Sequence, residues 1–402
     1  MFYTAISGLN AFKQQLAVIS DNIANSQTAS YKAGDVSFAE VIASSSSTSA
    51  GNVGSGVNVQ DTSLGWTQGA ISNTGNANDF AITGAGFFIV NDTAGTTGYT
   101  RDGQFSFNAT GSMVNADGMT VQGYAINPTT EIVSTTLSDI TISSAPIPAT
   151  ATTLMSTTVN LNSGAATGAT SDFSATVDTY DSLGNAVPLT IAFRKTAANT
   201  WSYTPTIPVA TGAVTSAAGT LTFNATGALV AAADPAITFT LLGGAASPQT
   251  VTWDITNAGA TNGTLTQYAG ASALYNMTQN GTAQGQLTGL STANGGIITA
   301  SYSNGETRSL YQIALADFQN YDGLNKAGNN LYTDTPALTG GPILGVAGVG
   351  RFGTMASGSL EASNVDMAKE MANMILAQRA YESCARVFTT ESEMLKTVVN
   401  MS

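Results

Sequence analysis

The stretch EASNVDMAKEMANMILAQRAYESCARVFTTESEMLKTVVNMS, residues 361–402, decides the fold. It reads as one long helix with a seam. Met367, Met371, Met374, Gln378, Tyr381, Ala385, Phe388, Ser392, Leu395 and Val399 recur in steps of four and three, the 3.5-residue period of a coiled coil. A second stripe runs beside it through Ala377, Ala380, Cys384, Val387, Glu391, Met394 and Val398. Two adjacent stripes make an apolar arc too wide for one partner helix. Ser363 or Asn364 is expected to cap the start, with Asp366 completing a Ser-x-x-Asp box. At about 1.5 Å per residue the rod would be roughly 55–60 Å long.

The other end of the chain repeats the theme. Phe2, Ala5, Leu9, Phe12, Leu16, Ile19 and Ile23 form a second heptad seam. An isolated helix of this length is marginal, so the two ends are expected to meet, with everything between looped out.

That intervening chain is β country. Residues 27–65 read as a connector containing an exposed serine run, Ala43–Ser49. Phe80–Ile82, Phe87–Val90, Gln104–Phe107 and Met119–Tyr124 are short strands, with Asp102-Gly103 and Asp117-Gly118 as tight turns. Thr176–Tyr180, Leu189–Phe193, Trp201–Tyr203, Thr220–Phe223, Ile237–Thr240 and Val251–Ile255 continue the pattern, as expected of a sandwich or barrel. Gly296–Tyr302 and Tyr311–Phe318 return to it. The fold class is therefore mainly β with α-helical termini. The helices would form an inner coiled-coil-like layer (1–26 and 361–402), joined by connectors (27–65 and 356–360) to an inner β domain (66–145 and 288–355). An outer β domain (146–287) is inserted into the inner one.

Composition removes most chemistry. The 402 residues include no histidine, and charged residues are 9%. That leaves no His-containing triad and no HExxH zinc site. No P-loop occurs, and Gly84-Ala-Gly86 runs straight into Phe87-Phe88, which breaks a dinucleotide fingerprint. Asp178 and Asp181 could pair as carboxylates, but Asp181 fits a turn role better. The helix methionines, at helical spacing, read as packing residues rather than soft-metal ligands. No enzyme activity, cofactor or metal is expected. A net charge of -13 argues against nucleic acid or an anionic membrane as partner. No apolar run reaches the ~18 residues of a membrane span, and the start lacks the layout of a cleavable signal peptide. The single cysteine, Cys384, excludes an intramolecular disulfide.

Several motifs resemble the bacterial flagellar rod and hook protein family. Ser7-Gly-Leu-Asn10, Asp21-Asn-Ile-Ala-Asn-Ser26 and Thr28-Ala-Ser-Tyr-Lys32 resemble its N-terminal signature. Asn78-Asp-Phe-Ala-Ile82, Gly84–Phe88 and Tyr99-Thr-Arg-Asp-Gly-Gln-Phe105 resemble its internal motifs. Glu361-Ala-Ser-Asn-Val-Asp366 with Gln378-Arg379 and Tyr381 resembles its terminal helix. Within the family, Val177–Phe193 and Leu221–Leu229 resemble the insert carried by hook subunits. Ser30 and Cys384 depart from it, standing where glycine and asparagine are usual.

The resemblance implies a structural subunit that self-assembles into a curved, hollow, flexible tube outside the cell, a universal joint passing motor torque from rod to filament. It implies homopolymeric contacts, rod proteins proximally, hook-filament junction proteins distally, and a hook cap and hook-length ruler during growth. Delivery would use type III export with no cleaved signal peptide. The expected assembly surface comprises both seams together with Val387, Met394 and Val398. A distal rod subunit, or a secreted β-rich adhesin or surface-layer subunit, is the alternative.

Overall fold

The computed structural model describes residues 2–42, 54–128, 130–168, 173–230, 233–255, 265–293 and 295–401. The serine run lies outside them. The chain divides into two compact units, one formed by residues 1–143, 290–300 and 308–402, the other by 144–289 and 301–307.

The first unit holds both terminal helices, Phe2–Ala24 and Met367–Met401. Its β body is built on the strands Phe87–Asn91, Thr97–Thr100 and Thr120–Ile126 and on most of Thr307–Asp317. Phe87–Asn91 pairs antiparallel with Thr97–Thr100 and with Thr120–Ile126. Thr307–Asp317 pairs antiparallel with Thr120–Ile126 through Tyr311–Ile313. Aromatic rings fill the core: Trp66 lies 5.2 Å from Tyr332 and 5.7 Å from Phe87, and Tyr99 lies edge-on to Phe318 at 4.8 Å. Edge-to-face geometry suits the ring quadrupoles.

Within residues 27–65, expected as connector, the described residues include two paired strands. Gly34–Ile42 pairs antiparallel with Gly54–Leu64. It lies on the N-terminal helix, with Phe38 6.0 Å from Phe12. The Asn22 side chain donates to Gly34 O and accepts from Gly34 N, both at 2.9 Å, so an amide stands in for a neighbouring strand. The helix thus gains an intrachain partner that its heptad pattern does not announce.

The C-terminal helix also begins later than expected. Glu361 closes the short strand Ser359–Glu361, and the cap is Asp366. Its carboxylate accepts from Ala368 N at 3.0 Å and Lys369 N at 3.2 Å. Asn364 turns away from the helix, accepting from Ala33 N at 2.8 Å and donating to Gly65 O at 2.6 Å.

The second unit is two antiparallel-rich sheets around one core. One sheet carries Phe173–Tyr180, Ala186–Ala197, Thr200–Thr206 and Gly219–Thr222; the other centres on Leu154–Asn160, Ala236–Leu241 and Gln249–Asp254. Strict alternation along Ala186–Ala197 sends Val187, Leu189, Ile191 and Phe193 inward. Trp201 and Trp253 anchor the core, and each indole N–H is satisfied, by Gln267 at 3.0 Å and Thr157 at 2.7 Å. Asp181 is a turn residue, accepting from Leu183 N and Asn185 N at 2.8 Å. Burial pushes its carboxyl up, but the Asn185 side chain, donating at 2.9 Å, and the main-chain amides of Asn185, Leu183 and Gly184 outweigh it and hold the group below its ordinary value. Residues 301–307, expected in the inner domain, belong to this unit. Ser303 ties them back through its N–H to Gln286 O at 2.8 Å.

Candidate self-assembly surface

The two terminal helices pack antiparallel. Phe2 meets Phe388 edge-on at 5.1 Å, and six residues further along, Gly8 lies beneath Cys384. A Cβ on Gly8 would stand 3.1 Å from the Cys384 Sγ, tighter than ordinary contact. Small residues set this approach: Ala5, Gly8 and Ala11 are buried on one helix and Ala377 on the other.

The sequence-predicted residues therefore divide. On the N-terminal helix Ala5 and Ile19 are buried, while Phe2, Leu9, Phe12, Leu16 and Ile23 are half-buried. Gly8, Ala11 and Asn22 are buried too and were not in the predicted seam. On the C-terminal helix the 3.5-residue seam, expected to pair with residues 2–23 of its own or a neighbouring chain, meets them within the chain at Phe388. Met374 and Ala385 are half-buried, but Met367, Met371, Gln378, Tyr381, Leu395 and Val399 are exposed. The contact runs along the neighbouring stripe through Ala377 and Cys384, because small side chains admit a closer approach than methionines. Farther out on that stripe Val387, Met394 and Val398 are exposed. Beyond Phe388 the helix continues for Thr389–Met401, about 20 Å at the α-helical rise. Leu395 there is 51% exposed and Val398 63%.

The strip linking these helices to the β body is polar and buried. Lys32 Nζ donates to Glu361 Oε1 at 2.6 Å and to Thr67 O at 2.9 Å. Glu361 Oε1 also accepts from Gly69 N at 2.8 Å, and Arg101 Nη1 stands 3.5 Å from Glu361 Oε2. Burial pushes the Lys32 ammonium below its ordinary value, against the opposing pull of Glu361. Beside them Ser30 is buried with φ +57°. Glycine takes that left-handed conformation without strain, and Ser30 holds it by donating its N–H to Glu361 O at 2.8 Å and its hydroxyl to Arg101 O at 2.7 Å. Among the described residues there is no cluster of three or more His, Cys, Asp or Glu side chains that could hold a metal, and no helix long and apolar enough to cross a membrane.

Family comparisons follow this architecture. A model described as flagella basal body rod protein matches residues 2–32, and one described as flagellar hook protein FlgE/F/G D1 domain matches 81–160. The flagellar basal body protein FlaE D2 domain matches 160–282, and the flagellar basal body rod FlgEFG protein C-terminal model matches 356–401. The flagellar hook protein FlgE of Escherichia coli strain K12 is 37% identical, over 100% of this chain and 99% of its own length.

The chain belongs to the flagellar hook protein family. The hook proteins of Salmonella typhimurium (38% identical, 100% of this chain, 99% of theirs) and Rhizobium meliloti (35%, 99% and 98%) agree. The crystal structure of Helicobacter pylori flagellar hook protein FlgE2 has the same fold. It aligns with a TM-score of 0.55 at 15% identity, covering 72% of this chain and 100% of that one. As a member of the hook protein family the chain is a structural subunit of the flagellar hook, within the basal body, and the family implies polymerisation with copies of itself.

Proposed function

We propose that the chain polymerises by covering the exposed stripe of its C-terminal helix with the terminal helices of neighbouring copies, forming a hollow, curved tube that serves as a universal joint. One observation carries this reading. Met371, Ile375, Leu376, Met394, Leu395 and Val398 are all exposed on a single helix, whereas the exposed large apolar groups elsewhere among the described residues are scattered over many separate elements. Fully burying such a side chain contributes about 1.5–3 kcal/mol, so several together favour association strongly. A head-to-tail contact that does not close yields a helical filament. The second unit would supply the wall's compliance. Between Ser144 and Gly289 the charged residues are only Asp172, Asp178, Asp181, Arg194, Lys195, Asp234 and Asp254. Hydroxyl-rich, weakly charged faces make wet contacts that can slide without losing much energy.

On this reading the subunit works outside the cell, leaves by type III export with its N-terminus intact, and meets rod proteins at one end and junction proteins at the other. A cap and a length-setting ruler act during growth. The test is electron microscopy of Leu395→Asp. Leu395 lies seven residues past the Phe2–Phe388 contact, so a charge there spares that contact. The variant should give soluble chains with native β-sheet circular dichroism and no tubes. Tubes of normal yield would overturn the proposal.

A further inference from the structure

The buried charges at Lys32, Arg101 and Glu361 have no part in the assembly surface described so far. Their side chains are 1%, 6% and 0% exposed. Placing three charges out of water is costly unless each is held by partners. Here the partners come from the segments that join both terminal helices and the hairpin to the β body. Lys32 follows the N-terminal helix, Thr67 and Gly69 follow the hairpin, and Glu361 precedes the C-terminal helix. Arg101 belongs to the body itself: its Nη2 donates to Gly84 O at 2.8 Å, and its guanidinium lies 5.2 Å over the Phe87 ring. Asn364 adds a second layer, joining Ala33, Gly65 and Thr67.

We propose that Glu361 is a positioning residue for self-assembly, fixing through Lys32 and Arg101 the directions in which both terminal helices leave the β body. The inference rests on the polymerisation reading above. A charged pair suits this task better than apolar packing. A carboxylate between two cations has one favoured geometry, whereas an apolar contact tolerates sliding. Glu361 also uses its main chain, which accepts from Ser30 N, so the segment is held at two points. The exposed stripe of the C-terminal helix then presents itself in one register to a neighbouring copy.

The experiment follows tube formation by sedimentation and electron microscopy. It also follows the rate at which a thiol reagent modifies Cys384 in the unassembled full-length chain, because Cys384 reports on the packing of the two helices over Gly8. Glu361→Gln strands two buried cations. It should raise the concentration needed for tubes by roughly a hundredfold or more and speed Cys384 modification. Lys32→Met combined with Glu361→Gln removes one stranded cation, so thermal stability should recover in part. Positioning requires that polymerisation stay impaired in this double variant, whereas a purely stabilising role requires it to recover. Should Glu361→Gln fail to fold, Asn364→Ala leaves no charge unpaired and should shift both readouts in the same direction, by less. Wild-type polymerisation and Cys384 reactivity in the folded variants overturn the inference. Leu395→Asp, measured in parallel, separates the two ideas: if it abolishes tubes while these variants form them normally, only the positioning role falls.

Discussion

The second unit and the terminal helices solve the same problem in opposite ways. The second unit closes its own core: Trp201, Trp253, Phe193 and Phe239 are wholly buried, and the alternation of each strand hides one face. The C-terminal helix has two apolar stripes, covers part of one with the small residues of its partner, and leaves Met371, Leu395 and Val398 exposed. A region that completes itself can be replaced or moved without loss of folding. A region that does not must find its complement in another molecule.

That contrast can be broken at several points. The largest effect belongs to Leu395→Asp, where polymer is lost outright and the sandwich is untouched. Next is the converse, Trp253→Ala. Its indole packs 5.1 Å from the Tyr203 ring and bonds Thr157, so removal should cost the second unit about 3–5 kcal/mol in urea unfolding. Tubes should still form below its melting temperature, because no helix residue changes. Failure to assemble there would erase the division of labour.

Alkali should distinguish the units more gently. Burial pushes Tyr99, Tyr321 and Tyr332 of the first unit up to about 12, with Asp317 adding to the effect at Tyr321. A phenol whose folded pKa lies above its unfolded value near 10 contributes stability that is whole below pH 10. That contribution is lost as pH climbs through 12. In the second unit burial likewise raises Tyr203. Thermal melts at pH 9 and pH 11 should therefore show a larger fall for Trp66 fluorescence than for Trp201 and Trp253, read separately in Trp→Phe variants. Equal falls would contradict it. The smallest effect is at Asp366→Ala. Loss of this cap should cost about 1 kcal/mol and raise the concentration needed for assembly several-fold, measured by sedimentation.

Much of this was legible in the chain. Periodicity of 3.5 marks both helices, period two marks the strands, and the motifs around Tyr31-Lys32 and Glu361–Asp366 carry the family. The helix–helix contact was not legible, because Gly8 and Ala11 are silent on any hydrophobic scale and matter only through the closeness they permit. The strands Gly34–Ile42 and Gly54–Leu64 carry the same alternation at Val36, Phe38, Val57 and Val59, but the serine run between them read as connector, and the bond from the distant Asn22 to Gly34 was not legible. Glu361 read as the first residue of a helix since nothing local reveals a lysine 329 positions away at 2.6 Å. In each case the missing information is tertiary: a partner brought near by the fold and absent from the neighbourhood in sequence.

If neighbouring copies cover the helix that runs about 20 Å past Phe388, as proposed above, order in this protein becomes a function of how many copies are present. In a lone chain its outer turns expose Leu395 and Val398 and draw on bonds within the helix, such as Thr397 Oγ1 to Glu393 O at 2.9 Å, and helix formation alone is close to neutral. As neighbours accumulate, the same turns gain burial and become rigid. A lone subunit and a subunit seated in a polymer would then be two states of one sequence, separated by concentration.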